Sequence, residues 1–401
     1  MVSPRQHVGF FKALEENRDP AHAGPVLAGL LTMRLVSNWA HYGPGIAADD
    51  SRAIAVAREI IQTVGRPNAE RDALLSLVNT LQTCPIAGSE PVVPLLVAYA
   101  EKLEYRGAFA LAADVYETIG DLANDGDPDL SLAIALVRLG NCIRKLGNLD
   151  EAEETFARAA RLAVWRRDSC LEVRAEVGRA VVSRMRGNMP AAVKQLERLA
   201  ERTGDRSHHA VRFEVVNELA LTLKQVGNFK GAVWFGYEAL QFSVGIERER
   251  SLLNLGVYLL ELGRYDAARD ALMVIERTTA AEEGRILARL NLIAVSARTD
   301  DRPLFDRCYG ILANTELLPE HRVNFLVESA KALGAFGSRA SRVALLQEAA
   351  DVCTQYGLHR SSFEVQRLQA ETDLPARTVR RPTPAPVIEQ ELRRMAVEVG
   401  A

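Results

Sequence analysis

The chain of 401 residues repeats one short segment, best seen in Leu146-Gly147-Asn148-Leu149-Asp150-Glu151-Ala152. Related segments occupy residues 106–112, 186–192, 226–232 and 262–268, and the five turn glycines lie 40, 40, 40 and 36 residues apart. A period in this range, with helical patterns on both sides of each turn, is typical of stacked helix pairs rather than of a globular enzyme domain. We therefore predict an all-α fold, a right-handed α-solenoid of stacked antiparallel helix pairs.

The residues around Gly147 show how the sequence forms one such pair. Asp127, directly before a proline, is a favourable start for the first helix. The apolar stripe of that helix has the three- and four-residue spacing of an amphipathic helix and consists of Leu132, Leu136, Leu139, Ile143 and Leu146. Gly147 ends the helix, because glycine adopts a positive φ without steric cost. We expect Asn148 to cap the second helix with Glu151 as its capping-box partner, and Ala152 to lie where the two helices approach most closely.

The repeat becomes less regular further along the chain. Asp300 takes the place of the turn glycine, and Gly337 restores it, each 37 residues after the preceding turn. Phe305 and Arg342 stand where the other repeats have the turn alanine. The register therefore predicts helix pairs in this part of the chain although the residue types drift.

The segments 139–141, 146–152 and 254–268 resemble the tetratricopeptide repeat, whose Leu-Gly pair, turn glycine and following alanine they share. The usual repeat has about 34 residues, whereas this one has 36 to 40. The greater length is similar to that of the repeats in the sensor domains of MalT-like bacterial transcription regulators. The resemblance implies a concave face lined by the first helix of each pair.

Four regions are predicted along the chain. Residues 1–90 form an N-terminal helical cap with room for one divergent repeat, and residues 91–371 hold the tetratricopeptide-like pairs. Residues 372–386 are rich in proline and read as an extended linker. Residues 387–401 form a short amphipathic helix.

The C-terminal helix carries an apolar stripe that needs a partner surface. Ile388, Leu392, Met395 and Val399 follow one another at i, i+4, i+7 and i+11. We expect this helix to cover the last helix pair near Phe363, because repeat arrays need their terminal apolar face covered. Occupation of the groove as an internal competitor and docking onto a partner remain open.

Composition excludes several classes of function. The net charge of −3, from 49 basic and 52 acidic residues, gives no sign of a nucleic-acid or acidic-membrane partner. No apolar run approaches the roughly 20 residues that cross a bilayer, and the N-terminus lacks the layout of a signal peptide. The sequence thus predicts a cytoplasmic protein. Its five cysteines form no CxxC pair, so neither a disulfide framework nor a zinc site is indicated.

No catalytic or cofactor motif stands out. Gly43-Pro44-Gly45 lacks the Lys-Ser/Thr that completes a phosphate-binding loop. His208 and His209 are adjacent, so their side chains point apart and do not chelate one metal as i,i+4 histidines do. We predict a protein that is not an enzyme and needs neither cofactor nor metal.

The candidate binding residues lie on the first helices of the pairs. Asn217, Asn254 and Asn291 are each 37 residues apart, and an asparagine amide both donates and accepts, so a ladder of them can bind the backbone of an extended peptide. Further polar and basic candidates for the same groove are Asn141, Arg144, Lys224 and Arg250. The alternative is that the asparagines satisfy neighbouring helix ends and that the basic residues are ordinary surface. The dicarboxylate-clamp pattern of chaperone-binding relatives is not reproduced in full, which argues against a chaperone C-terminus as the ligand.

Two functions fit these observations. The favoured one is a non-enzymatic interaction module, or scaffold, that holds a peptide or partner protein in the groove. The alternative is a MalT-like regulatory sensor that binds a signalling peptide or small molecule and controls a separate effector, since no helix-turn-helix is evident at either end. Either function is compatible with a homodimer.

Overall fold

The computed structural model describes residues 5–16, 20–42, 47–64, 69–83, 91–122, 130–205, 208–371 and 386–400. Every regular element within these ranges is an α-helix. The predicted all-α class of stacked antiparallel helix pairs is confirmed. The predicted helix start at Asp127 and residues 372–385 of the predicted linker lie outside the described ranges. The helices form two compact units, divided between Val211 and Arg212.

The first unit holds ten of the described helices, and each packs against the next. In addition, the first helix lies on the sixth. The helices are α1 (Val8–Glu16), α2 (Pro20–Tyr42), α3 (Ala47–Thr63), α4 (Ala69–Thr83), α5 (Val93–Tyr105), α6 (Phe109–Leu122), α7 (Leu130–Lys145), α8 (Leu149–Arg166), α9 (Ser169–Met185) and α10 (Met189–Arg202).

The second unit holds the other ten, and from its second to its ninth helix each packs against the next. The last helix returns to the fourth of this unit. The helices are α11 (His209–Gln225), α12 (Phe229–Phe242), α13 (Gly245–Glu261), α14 (Tyr265–Thr278), α15 (Glu282–Thr299), α16 (Arg302–Ala313), α17 (Pro319–Ala335), α18 (Arg339–Tyr356), α19 (His359–Ala370) and α20 (Pro386–Glu398).

The turn glycines adopt the positive φ that the sequence predicts. At Gly147 φ is 90°, its N–H donates to Arg144 O at 3.1 Å, and the next N–H donates to Ile143 O at 3.2 Å. This closure of the helix end recurs at the glycines 107, 187, 227, 263 and 337. Asp300 holds the same conformation with φ 56°, which aspartate tolerates better than most residues. The register of the repeat is thus kept by backbone conformation.

One predicted cap is wrong. Asn148 precedes α8, but its side chain accepts no capping hydrogen bond. The corresponding Asn188 and Asn228 do accept one, from Ala191 N at 3.3 Å and from Gly231 N at 3.0 Å. The predicted capping box of Asn148 with Glu151 therefore does not form.

Small residues set the closest helix contacts. Ala152 is fully buried, and so is Phe156 one turn later on α8. A Cβ at Gly140 on α7 would lie 2.8 Å from the Phe156 ring, and a Cβ at Gly178 on α9 would lie 2.4 Å from it. The ring therefore fills a space between α7 and α9 that only glycine leaves open on both sides.

The irregular repeats compensate for their unusual residues. Phe305 is buried in place of the turn alanine, where its ring meets Tyr309 and Phe336 at centroid distances of 5.3 and 5.5 Å. Arg342 is also buried, and one of its nitrogens donates to Leu368 O at 2.8 Å and to Glu371 O at 3.0 Å. A guanidinium at this position satisfies carbonyls at the end of α19 that would otherwise lack partners.

The C-terminal helix α20 is not where we expected it. It packs against α14, in the middle of the second unit, while Phe363 on α19 stays 74% exposed. Helix α19 buries only Val365 and Leu368, and apart from Phe363 and Ala370 its other side chains are polar. It therefore closes the array by itself, and covering of the last pair by α20 is not needed.

Candidate functional site

The first helix of each pair in the second unit keeps one partly exposed stripe. On α13, Leu252 and Leu255 are buried, whereas Asn254 and Val257 are partly exposed and Arg250 is exposed. A spacing of three and four residues places the last three on one face of the helix. The asparagine thus lies outside the core, between a basic and an apolar side chain.

Helices α11 and α15 carry stripes of the same kind. The stripe of α11 consists of Glu214, Asn217, Leu221 and Lys224, and that of α15 consists of Leu287, Asn291, Ala294 and Arg298. Because α13 and α15 pack against each other, Asn254 and Asn291 lie on adjacent helices. The structure therefore keeps one partly exposed asparagine on each first helix from α11 to α15.

The asparagines differ in their own hydrogen bonds. Asn291 Nδ2 donates to Leu287 O at 2.8 Å within its helix, which matches in part the alternative that these residues satisfy nearby backbone. The bond uses one of the two N–H groups of Nδ2 and leaves the other N–H and the oxygen. The amide of Asn291 therefore retains both a donor and an acceptor.

The apolar residues of these stripes were not among the predicted site residues. Leu221 and Val257 are partly exposed on α11 and α13, one turn beyond Asn217 and Asn254 respectively. They could have been predicted, because the i+3 and i+4 neighbours of a surface residue on a helix lie on the same face. They add apolar contact area next to each amide.

Two predicted site residues belong to the first unit, and there they contact each other. Arg144 Nη2 donates to Asn141 Oδ1 at 3.3 Å, and Arg144 Nη1 approaches Met185 Sδ on α9 at 3.5 Å. Both side chains are partly exposed on the first helix of their pair. Asn141 is thus engaged by its own helix, so a ligand would have to compete with Arg144 for its oxygen.

The histidine pair has a local role. His208 Nδ1 is hydrogen-bonded to Asp205 Oδ1 at 2.8 Å, just before α11 begins. In the described ranges no three histidine, cysteine, aspartate or glutamate side chains are grouped so as to hold a metal ion.

The first unit contains a Ser-His-Asp arrangement that was not predicted from the sequence. His7 Nδ1 lies 2.7 Å from Asp114 Oδ1, and His7 Nε2 lies 3.0 Å from Ser37 Oγ. The order of atoms is that of a hydrolytic triad, but the three residues are only 1%, 4% and 5% exposed. A substrate cannot reach Ser37 in this state. The arrangement instead joins the segment before α1 to α2 and α6.

The helices behind the stripes are held by a buried carboxylate. Glu276 on α14 accepts from Arg289 on α15 at 2.9 Å and from Arg307 on α16 at 2.8 and 2.9 Å. Burial alone would raise the pKa of Glu276, but the hydrogen bonds from the two arginines outweigh it and leave the pKa below its ordinary value. The ionised carboxylate therefore fixes α15 relative to its neighbours.

Comparison with protein families identifies one repeat. The family model of the tetratricopeptide repeat matches residues 133–163, which cover most of α7 and α8. The predicted tetratricopeptide-type repeat is confirmed at this position. No curated protein matches the chain. Among the described residues, no helix is both long and apolar enough to cross a membrane.

Several solved helical structures are similar to the chain. PilF of Pseudomonas aeruginosa has a TM-score of 0.41 and 17% identity, over 60% of this chain and 97% of its own. The apo form of RapI has a TM-score of 0.46 and 14% identity, over 69% and 98%. A Rap protein complexed with competence and sporulation factor has a TM-score of 0.47 and 11% identity, over 92% and 99%. Similarities at this level assign no function to the chain.

Proposed function

We propose that the chain is a non-enzymatic interaction module that holds an extended peptide, or an extended segment of a partner protein, on the first helices of its second unit. The observation that carries this proposal is the partly exposed stripe on α11, α13 and α15, each with an asparagine and an apolar neighbour. Core residues are buried directly beside these stripes. The asparagines therefore lie outside the core, which supports a role in binding rather than in packing.

The chemistry of the stripes favours recognition of backbone. An asparagine amide pairs with one N–H and one C=O of a peptide whatever its side chains are. The partly exposed Leu221, Val257 and Leu287 would contact every other side chain of an extended ligand, because side chains alternate along an extended chain. Arg250 and Arg298 are exposed and favour a ligand that carries acidic side chains.

The buried Ser37, His7 and Asp114 support a module without catalysis. Their mutual hydrogen bonds join three segments of the first unit, and none of the three side chains is open to a substrate. A role in holding the N-terminal segment accounts for all of these contacts.

The test uses peptides selected on the intact protein from a random phage-displayed library. The double variant Asn254→Ala/Asn291→Ala should weaken a selected peptide at least tenfold in a fluorescence titration, since each lost amide pair removes about 1 kcal/mol. The melting temperature should stay within about 2 °C, because both side chains are outside the core. The matched control is Asn314→Ala at the exposed end of α16, whose Nδ2 donates to its own helix like that of Asn291. Unchanged affinity together with a lower melting temperature would show that the asparagines are structural.

A further inference from the structure

The contact between α20 and α14 has the composition of a binding site. Ile388, Leu392 and Ala396 of α20 are buried and lie on one face at i, i+4 and i+8. On the opposite side, Val387 and Val397 are 68% and 70% exposed. Helix α20 therefore lies on the surface of the second unit and contributes only one stripe to it.

Polar contacts fix the orientation of α20. Glu389 forms an ion pair with Arg264, just before α14, and Arg277 Nη1 donates to Val399 O at 3.3 Å near the end of α14. The two helices thus run parallel. Between these contacts, Glu391 accepts a hydrogen bond from the Tyr237 hydroxyl of α12. Burial and then the Glu391 carboxylate raise the pKa of Tyr237 to about 12, so its hydroxyl remains a donor at neutral pH.

The face of α14 toward α20 differs from the same face of α8. Ala267 and Val274 are buried there, four and eleven residues after the turn glycine. Helical spacing places them on the same side as Arg277, which contacts α20. The equivalent positions of α8 are Glu151 and Arg158, both exposed. These two positions are therefore apolar and buried in α14, where α8 exposes two charged side chains.

From this complementarity we infer a second binding site, on the outer faces of α12 and α14, that takes an amphipathic helix and that α20 fills as a detachable internal ligand. The fitting partner is a protein helix with apolar residues at i, i+4 and i+8 and carboxylates at i+1 and i+3. The contacts described above come from residues 388–399, so a helix of another chain with the same pattern can make them. This site is separate from the asparagine stripes.

Attachment to the same chain sets the condition for exchange. A tethered helix is present at an effective concentration that can reach the millimolar range. A partner helix therefore displaces α20 only if it binds more tightly or is itself held nearby. In the absence of α20, the site should bind such a helix without competition.

The test is a fluorescence titration with a synthetic peptide of residues 386–401. It should bind the chain truncated after residue 385 with one-to-one stoichiometry, and at least tenfold more tightly than it binds the intact chain. A second acceptor is the full chain with Leu392→Arg, which releases α20 without a deletion and should bind the peptide like the truncated chain. The peptide with Glu389→Gln and Glu391→Gln should bind about tenfold more weakly.

Matched variants localise the site. Val274→Arg in the truncated chain should abolish peptide binding, whereas Val343→Arg on the exposed face of α18 should leave it unchanged. Asn254→Ala should also leave it unchanged, which separates this site from the proposed groove.

Two results would overturn the inference. One is a truncated chain and a Leu392→Arg chain that keep their helical circular dichroism yet bind no peptide. The other is loss of helicity in both chains, since α20 would then be an integral part of the core.

Discussion

At both ends of the described chain a terminal helix packs onto a repeat, but the two helices are attached differently. Helix α1 lies on α6, and α20 lies on α14, so each terminal helix covers the second helix of a repeat. At the positions four and eleven residues after the turn glycine, α6 buries Leu111 and Thr118, as α14 buries Ala267 and Val274. At these two positions α6 and α14 thus bury residues where α8 exposes charged ones.

The difference lies in how the two helices are attached. Asp114, seven residues after its turn glycine, accepts from Gly9 N at 3.1 Å and is hydrogen-bonded to the buried His7. The equivalent residue of α14, Asp270, interacts electrostatically with Arg393 of α20, in addition to its neighbours Arg269 and Asp266. A buried polar contact is costly to break because its groups lose their partners away from water. We therefore expect helix α1 to be held more firmly than α20, whose polar contacts are partly exposed.

The orientations differ as well. Arg5 contacts Asp121 at 2.7 Å and Gly9 approaches Ala110, so the N-terminal segment runs antiparallel to α6. Helix α20 runs parallel to α14. The backbones of the N-terminal segment and α6 also approach closely at Gly9, because a Cβ there would lie 2.7 Å from Ala110 O. The close backbone approach at α1 is consistent with a fixed helix. The side-chain contacts of α20 are consistent with an exchangeable one.

The largest expected effect comes from two neighbouring alanines of α14. Ala268 is fully buried in the interior of its repeat, whereas helical spacing places Ala267 on the side of α14 that carries Arg277, which contacts α20. Ala268→Arg should destabilise the second unit by several kcal/mol, because it inserts a long charged side chain into a close helix contact (about 3 kcal/mol or more). Ala267→Arg should release α20 and leave the array folded. Urea denaturation followed by circular dichroism measures both, and equal losses of stability would break the distinction between core and docking face.

The next effect tests how firmly α1 is fixed. His7→Ala leaves the carboxylate of Asp114 buried without its imidazole partner, and we expect a loss of about 3 kcal/mol in the unfolding free energy. Arg5→Ala is the control, since Arg5 is partly exposed and exposed ion pairs contribute about 0–1 kcal/mol.

The corresponding substitution in α20 measures how firmly that helix is held. Leu392→Arg should cost no more than the docking free energy of α20, about 1–2 kcal/mol, because the helix can detach instead of unfolding the unit. A loss as large as that of His7→Ala would mean that α20 is fixed as firmly as α1.

The repeat could be predicted from the sequence because its signals are local. Gly107, Gly147 and Gly227 each end a helix at positive φ, and a residue type that alone adopts this conformation freely is visible without the structure. The position of the asparagines on the exposed face of their helices could be predicted for the same reason, since it follows from helical spacing. Whether Asn254 and Asn291 bind a peptide stays a prediction.

The terminal helices could not be placed in this way. The stripe of α20 shows that it needs a partner surface, but not which one, and the partner residues Arg264 and Tyr237 are more than 120 residues away in the chain. His7 and Asp114 are likewise brought together across 107 residues. Ala267 and Val274 are apolar where α8 has charged residues, and this difference could have indicated the docking face. It becomes apparent only once the repeats are aligned and the outer positions of α8 are known to be exposed.

A moderate effect on stability is expected from Glu276, which holds α14 in place. The docking site for a detachable helix requires that α14 itself stays fixed. Glu276 is buried between Arg289 and Arg307, and its pKa is lowered in the folded state. A carboxylate with a lowered folded pKa contributes stability above its unfolded pKa, about 4.3, and this contribution is lost as the pH falls through the folded pKa. Glu276→Gln should therefore cost about 2 kcal/mol at pH 7 and progressively less below about pH 4. Denaturation at pH 7 and pH 3 measures the difference, and a penalty that is the same at both would show that the ionised carboxylate is not the stabilising group.

The smallest expected effect isolates a single contact of the exchangeable helix. Tyr237→Phe removes the hydroxyl that donates to Glu391 and keeps the ring, so the array itself should unfold with unchanged free energy. The peptide of residues 386–401 should bind the truncated Tyr237→Phe chain about five- to tenfold more weakly, since a hydrogen bond to a charged group contributes about 1–1.5 kcal/mol when it is partly open to water. The Glu391→Gln peptide provides the second side of a double-mutant cycle, in which the two changes together should weaken binding hardly more than either alone. Additive losses would mean that Tyr237 and Glu391 act separately, and the orientation of α20 on α12 would then rest on Arg264 and Arg277 alone.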